Sequence, residues 1–286
     1  MNIDFSFFAG HESFYLRSGW LSKGIEAIKN NSEIFLTSNL KDAIDNLGIG
    51  ANMVKSLKYW LEFCNIIEKE KKNTSKYNLT SFGKNIYDID FYCLNKGTLW
   101  LLHYHSCVKS PLWKVMFCEE DISYFDKEKA SIITTARIKE EGTKYARKTI
   151  DSAISVFINT YLWANKTSKE EPEDNLNSPL AELKLLQKDN NNNYCFRALN
   201  SNEIPPMLIY LIIFGSKIKR NSLPLDLAFK EIRKYLKIDL NSLREILNRL
   251  ENDNYIQVDR AAGLNNIINK ANLTTEKIEQ IIIEEV

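Results

Sequence analysis

Apolar residues recur every three or four positions through most of the chain, which is the spacing of helices with one buried face. This spacing predicts helices at residues 20–30, 40–47, 51–67, 125–141, 143–164, 179–186, 206–215, 240–252 and 274–285, and one from 222 or 226 to 235. Residues 97–107 are apolar nearly all round, so this helix is expected in the core. Segments with strand character are few and short. The pattern therefore predicts a mainly α fold.

Two stretches have the element order of a winged helix-turn-helix, in which two helices joined by a turn precede a hairpin. In the first stretch, Gly48 and Gly50 separate the helices, and the polar run 68–75 lies between two short extended pieces. In the second, residues 237–239 separate the helices and residues 255–258 form a wing strand. We therefore predict two winged helix-turn-helix-like modules joined by a helical middle region.

The domain boundaries follow from this order. Residues 1–95 hold an N-terminal motif and the first module, residues 96–166 form the helical middle region, and residues 179–286 form the second module. Residues 165–178 are rich in Lys, Glu, Pro and Asn, a composition typical of linkers.

Polar and cationic side chains on both modules are candidates for contact with double-stranded DNA, because phosphates attract cations on such helices and wings. They are Asn52, Lys55 and Lys58 on the first module's second helix, Lys69, Lys71, Lys72 and Lys76 on its wing, and Arg244 and Arg249 on the second module. The alternative is a solvated hairpin, since Glu68 and Glu70 dilute the charge of the wing. Winged helices also serve as protein-contact modules.

Composition limits the classes of protein that fit. The chain has 38 Lys and Arg against 37 Asp and Glu, so a nucleic-acid surface must come from local segregation of charge. Five cysteines without CxxC spacing argue against a disulfide framework or a structural zinc site and fit a reducing cytoplasm. The longest apolar run, residues 207–214, is well short of the ~20 residues that span a bilayer, so no membrane segment is expected.

The densest group of chemically capable residues lies in residues 8–24, which also contain three of the chain's ten glycines. Here Glu12 is a candidate metal ligand beside His11 as a base, while Arg17 and Lys23 are candidates to hold a phosphate. The alternative is a packing corner, with Glu12 capping a helix and pairing with Arg17.

Several enzyme signatures are missing. His103 and His105 stand two apart, unlike the i, i+4 histidines of zinc proteases, and are interpreted as core histidines. No phosphate-loop, dinucleotide or Gly-x-Ser-x-Gly motif is present, which disfavours an ATPase, a dehydrogenase or a hydrolase of that type.

Four segments together resemble a bacterial family long known as a domain of unknown function. They are the pattern of Phe8, His11, Glu12, Phe14, Arg17, Trp20, Lys23 and Gly24, then residues 99–104, then Ser110, Pro111 and Trp113, and finally residues 178–183. Members of that family are encoded with DNA-backbone sulfur-modification and phage-defence genes. One branch is the nicking subunit of the single-strand DNA phosphorothioation system.

The resemblance implies a DNA-binding protein that nicks one strand so that partners can replace a phosphate oxygen with sulfur. It also implies sulfurtransferase-like and ATPase partner proteins. Our first hypothesis is a cytoplasmic endonuclease assisted by a divalent metal, Mg or Mn, with His11, Glu12, Arg17 and Lys23 as the site; a homodimer is compatible with this. The alternatives are a non-catalytic DNA-binding adaptor and, third, a transcriptional regulator.

Overall fold

The computed structural model describes residues 8–118, 122–163, 176–215, 220–260 and 265–285. These residues form twelve α-helices and eight short strands, so the predicted mainly α fold is confirmed. The helices are α1 Trp20–Asn30, α2 Leu40–Leu47, α3 Ala51–Phe63, α4 Ser81–Ile89, α5 Lys96–Lys109, α6 Pro111–Cys118, α7 Lys127–Glu140, α8 Arg147–Tyr161, α9 Pro206–Phe214, α10 Leu225–Ile232, α11 Leu240–Asn252 and α12 Thr275–Glu284. The predicted linker, residues 165–178, lies outside the described residues except for its last three.

The strands form three small antiparallel sheets. They are β1 Ile67–Lys69, β2 Tyr77–Leu79, β3 Tyr124–Phe125, β4 Leu186–Lys188, β5 Tyr194–Phe196, β6 Ser222–Pro224, β7 Ile256–Asp259 and β8 Asn266–Asn269. The first sheet is the hairpin β1–β2, in which Lys69 lies opposite Tyr77. The second has the order β3-β5-β4 and the third the order β6-β8-β7. In chain order, α2, α3 and β1–β2 precede the middle helices, and α10, α11 and β7–β8 follow them.

The helices predicted at 51–67 and 143–164 are shorter in the structure, at Ala51–Phe63 and Arg147–Tyr161, and two other predicted helices differ in kind or in start. Residues 222–224 form strand β6, which pairs with β8, so the predicted start at 222 is wrong, whereas the alternative start at 226 lies one residue from the start of α10 at Leu225. The long-range pairing with β8 overrides the helical spacing there. Residues 179–183 form a short 3₁₀ helix that ends at Lys184, whose left-handed backbone, with φ 52°, stops the helix before β4.

The last helix packs back onto the middle of the chain. A Cβ atom on Gly97 in α5 would lie 1.8 Å from the carbonyl oxygen of Ile282 in α12, so only glycine permits this approach. Nearby, Nε2 of His105 lies 2.9 Å from a carboxylate oxygen of Glu279, and both side chains are buried. His103 is also buried, which confirms the interpretation of both residues as core histidines. None of the helices in the described ranges combines the length and the hydropathy required to cross a bilayer.

A chain of hydrogen bonds through buried side chains joins α5, α6 and α8 to the segment after α10. Burial lowers the pKa of His103 to about 4, so its ring is neutral at pH 7. Its Nε2 lies 2.9 Å from the carbonyl oxygen of Tyr235 and therefore carries the proton. Nδ1 then accepts from the Tyr161 hydroxyl at 2.8 Å, and the Tyr161 oxygen accepts from Nε1 of Trp113 at 3.0 Å. Every side-chain polar group in this series of hydrogen bonds therefore has a partner.

We expect Tyr161→Phe to lower the free energy of unfolding by ~1–3 kcal/mol, because it leaves the Trp113 indole N–H and Nδ1 of His103 buried without their partner. Urea denaturation followed by circular dichroism measures the change. The control is Tyr92→Phe, which removes the same hydroxyl from a side chain that is 68% exposed and should change stability by less than ~0.5 kcal/mol. Equal effects of the two substitutions would contradict the role of the buried chain.

Candidate nucleic-acid interface

The N-terminal segment, residues 8–19, packs between α3 and α8. Phe8 is buried and stacks on Tyr145, with ring centroids 4.5 Å apart. Gly10 has a φ of +117°, and a Cβ atom there would lie 3.0 Å from the Tyr59 ring of α3. On the other side, the hydroxyl oxygens of Ser13 and Ser152 lie 3.0 Å apart. The glycine at position 10 is therefore required both by its backbone angle and by the close approach of the segment to α3.

His11 is 5% exposed and belongs to the interior. Desolvation lowers its pKa to about 4, so the imidazole is neutral at pH 7. Its Nδ1 accepts a hydrogen bond from the backbone N–H of Ser13 at 3.0 Å, so the proton resides on Nε2. Within the described part of the chain, Nε2 is buried and has no hydrogen-bond partner. The ring meets Tyr59 edge to face, with centroids 5.9 Å apart.

Glu12 is exposed on a tight turn beside His11. Glu12 and Ser13 both have left-handed backbones, with φ of 48° and 64°. A hydrogen bond of 2.8 Å from Phe14 N–H to the carbonyl of His11 closes the turn. Two successive non-glycine residues in this region are uncommon, and such strained turns cluster at functional sites. The turn therefore presents a carboxylate to solvent on a constrained backbone.

The two predicted cations lie in different surroundings. Arg17 is 4% exposed, and its guanidinium lies 5.4 to 5.9 Å from the ring centroids of Phe14, Tyr15 and Trp20. This is a cation–π cage inside the protein. Lys23 is exposed on α1 and lines a polar cavity of about 540 Å³ between α1 and α2. The four predicted catalytic side chains therefore do not form one group facing solvent: two are buried, and the two exposed ones are Glu12 on its turn and Lys23 at this cavity.

A divalent ion held by protein ligands alone does not fit these residues. In the part of the chain that the structure describes, no three His, Cys, Asp or Glu side chains gather to form a metal site. Mg²⁺ is usually held by one or two carboxylates together with substrate phosphates and water. Glu12 is the only carboxylate among the four predicted catalytic residues, so a complete set would need groups from outside them.

A groove of about 560 Å³ runs beside the N-terminal segment and is called the lysine groove here. Lys55 and Lys58 of α3 and Lys69 of β1 line it together, with one carboxylate, Glu62, among them. Ala9 and Gly10, residues 34–37, Leu40, Val54 and Tyr59 complete the lining. The ammonium group of Lys58 also lies 5.2 Å from the centroid of the Tyr77 ring. The groove thus concentrates positive charge on a nearly neutral chain, and it is lined by Ala9 and Gly10, which precede the turn that carries Glu12.

The other predicted DNA-binding residues lie outside the groove lining. Asn52 is exposed on α3, Lys71 and Lys72 are exposed in the hairpin loop, and Lys76 is half-buried. Arg244 is exposed on α11. Arg249 donates a hydrogen bond to the carbonyl of Ser201, so its guanidinium ties α11 to a neighbouring 3₁₀ turn.

Sequence reasoning missed residues 34–37 as a wall of the groove. Ile34 and Phe35 are buried although they lie between two helices. Their apolar character after the polar pair Asn30–Asn31 is the signal that predicts a buried connection at this point.

Comparison with known proteins places this fold in a family. A family model described as "Protein of unknown function (DUF4007)" matches residues 8–285. The chain belongs to the DUF4007 family. The crystal structure of SspB superposes with a TM-score of 0.83 at 21% identity and covers 99% of this chain and 88% of SspB. Magnesium ion-bound SspB gives a TM-score of 0.82 at 21% identity, with 99% and 90% covered. None of the curated protein sequences matches the chain.

The DUF4007 match begins at Phe8, the first residue of the N-terminal segment. Both that segment and the lysine groove therefore lie inside the family region. The likeness to SspB shows that the fold extends over nearly the whole of both chains.

Burial of His11 and His103 should make stability depend on pH. Each has a pKa lowered from 6.5 to about 4 in the folded state. Between pH 6.5 and 4 the unfolded chain binds more protons than the folded chain does. The free energy of unfolding should therefore fall as pH falls through this range, by up to ~3 kcal/mol for each histidine. Urea denaturation at pH 7.5, 6.5 and 5.5 measures this slope. His11→Asn and His103→Asn should each make the slope shallower, and an unchanged slope would show that the imidazole in question is not held neutral.

Proposed function

We propose that this protein binds double-stranded DNA through the lysine groove as a component of a DNA phosphorothioate modification and phage-defence system. The observation that carries the proposal is the convergence of Lys55, Lys58 and Lys69, from two elements, in one groove that Ala9 and Gly10 of the N-terminal segment also line. A groove lined by ammonium groups suits the phosphate backbone of a duplex, because each contact releases counterions from the DNA. The resemblance of residues 8–24 to the family of the nicking subunit, and the fold shared with SspB, support the same system.

The element order suggests how a duplex would lie. We infer that α2, α3 and β1–β2 act as a winged helix-turn-helix, with α3 toward a groove of the DNA and Lys69, Lys71, Lys72 and Lys76 toward its backbone. The module of α10, α11 and β7–β8 has the same order, and Arg244 is its exposed cation. Arg249 would then hold α11 in position and would not contact phosphate. Sulfurtransferase-like and ATPase proteins of the system are the expected partners.

Nicking of one strand is the finer part of the proposal. Glu12 is the side chain suited to reach a phosphate or an attacking water, because its carboxylate is exposed and it follows two residues after Gly10, which lines the groove. Neutral His11 holds the turn through its bond to the Ser13 N–H, which makes it a positioning residue for Glu12. Arg17 similarly anchors the segment through its aromatic cage. Magnesium or manganese, if used, would be held jointly with DNA phosphates.

The second candidate function is a non-catalytic DNA-binding adaptor. The burial of His11 and Arg17 favours it, because these two side chains then serve packing rather than chemistry. Both functions use the lysine groove, and they differ only in whether a DNA strand is cut.

Reversing two charges in the groove should weaken duplex binding. We expect Lys55→Glu with Lys58→Glu to reduce affinity at least ~10-fold at low salt and to lower the slope of log K against log salt by about 2, roughly one for each lost phosphate contact. Fluorescence anisotropy with a labelled duplex measures both quantities. The control, Lys188→Glu with Lys277→Glu, makes the same change in net charge at exposed lysines outside the groove. If the two double variants lose affinity equally, the groove is not the binding surface.

Supercoiled plasmid separates the nickase from the adaptor. With Mg²⁺ or Mn²⁺ the nickase should convert it to open circles, and Glu12→Gln should reduce the rate at least ~100-fold by removing the charged carboxylate from the site. Glu26→Gln at the neighbouring cavity is the matched control, and circular dichroism verifies that both variants fold. Duplex binding without relaxation supports the adaptor. Relaxation that persists in Glu12→Gln would remove this turn from the reaction.

A further inference from the structure

A further pocket, of about 710 Å³, shares no lining residue with the lysine groove. It lies where the start of α5, the end of α8 and the turns near residues 184 and 203 meet, and is called the Trp163 pocket here. The residues that matter for its chemistry are Lys96, Trp100, Trp163, Lys184, Arg197 and Glu203. Two segments that carry the family resemblance but have no part in the proposed function, residues 99–104 and 178–183, meet at this pocket.

A hydrogen-bond frame holds the walls of the Trp163 pocket. The Arg197 guanidinium donates to the carbonyl of Lys184 at 3.1 Å and to the Glu203 carboxylate at 2.8 Å. The indole N–H of Trp100 donates to the Glu203 carbonyl at 2.9 Å. Arg197 also lowers the pKa of Glu203, so this carboxylate stays ionised and paired. The frame uses the polar groups of these three side chains and fixes the turns on either side of the cavity.

Three further side chains remain available in this frame. All five tryptophans lie in the described residues, and Trp163 is the exposed one, at 50%, whereas the other four are buried. In the described part of the chain, the ammonium groups of Lys96 and Lys184 make no hydrogen bond, and the charge of Lys96 acts on Glu203, whose carboxylate is already paired with Arg197. An exposed indole and two cations without hydrogen-bond partners thus border one cavity.

We infer that the Trp163 pocket binds a nucleotide, with the base stacked on the Trp163 indole and the phosphate near Lys96 and Lys184. A nucleobase has a flat π face that stacks on aromatic side chains regardless of sequence, and its phosphate seeks ammonium groups. A simple anion would not need the indole, and an apolar ligand would not need the lysines. Glu182, an exposed carboxylate at the rim, is placed to accept hydrogen bonds from sugar hydroxyls or base amino groups.

Two sources supply this chemistry, a free mononucleotide and a nucleotide of a single-stranded segment of DNA. The inference is independent of the lysine groove, because the two cavities have no lining residue in common. Lys55→Glu with Lys58→Glu should therefore leave nucleotide binding unchanged while duplex binding falls.

Titration calorimetry on the full chain with dAMP, deoxyribose 5-phosphate and a thymidine dodecamer tests the inference. The sugar phosphate, which lacks the base, should bind at least ~10-fold more weakly than dAMP, since stacking on one aromatic ring contributes about that factor. Trp163→Ala should weaken dAMP or dodecamer binding by a similar factor, whereas Trp163→Phe, which keeps an aromatic ring, should lose less affinity. Lys184→Ala, made separately, should also weaken binding. Tyr92→Ala, which removes another exposed aromatic ring, is the control and should have no effect.

The pattern of binding identifies the source. Binding of dAMP that depends on Trp163 assigns the pocket to a free nucleotide if the dodecamer does not bind. Dodecamer binding that depends on Trp163, without dAMP binding, assigns it to a DNA strand, and binding of both assigns it to the shared nucleotide unit. The inference is overturned if neither ligand binds the wild-type chain, or if folded Trp163→Ala binds them as well as wild type does.

Discussion

The buried hydrogen-bond chain from Trp113 through Tyr161 and His103 to the carbonyl of Tyr235 is the constraint on which the rest of the structure depends. It has one direction only, because the carbonyl must accept and the indole must donate. It fixes α5 against α8, and these two helices position both surfaces. Ser152 in α8 contacts Ser13 of the N-terminal segment. Helix α8 ends at Tyr161, and Trp163 follows two residues later. A shift of α8 would therefore disturb both the lysine groove and the Trp163 pocket.

In the N-terminal segment, packing determines which side chains are charged and which reach solvent. Burial against Tyr59 removes the charge of His11 at pH 7, and the aromatic cage takes Arg17 out of contact with solvent. The same packing forces a left-handed turn that leaves Glu12 exposed. A pattern that offers an imidazole, a carboxylate and two cations along the chain thus becomes, in three dimensions, an exposed carboxylate on a firmly anchored turn and an exposed lysine at a separate cavity. The physical reason is that desolvation of a charge costs more than a short segment can offset unless the group is caged or neutralised.

Local spacing predicted most helices and few strands. Helices such as α3 and α11 have a full apolar face, which periodicity detects, whereas β3 is two residues long and pairs with a strand about seventy positions away. The cations of α3 and β1 were predictable as a group because the β1–β2 hairpin follows α3 directly in the chain. The burial of His11 was not, since it depends on packing against Tyr59 of α3, which no local pattern connects to position 11. The return of α12 onto α5, through Gly97, was hidden for the same reason.

The positive and negative charges of the chain nearly cancel, with 38 Lys and Arg against 37 Asp and Glu, so the lysine groove and the Trp163 pocket differ through their local residues. A nearly neutral chain attracts DNA only weakly over long range, so the DNA binding that we propose would rest on short contacts in particular cavities. A duplex hides its bases and exposes its phosphates, and the lysine groove matches this with cations while its aromatic residues, Phe35 and Tyr59, are buried. A single nucleotide exposes both a base face and a phosphate. Of these two cavities, the Trp163 pocket, with an exposed indole beside lysines, has groups for both, which is why we propose a different state of nucleic acid for each cavity.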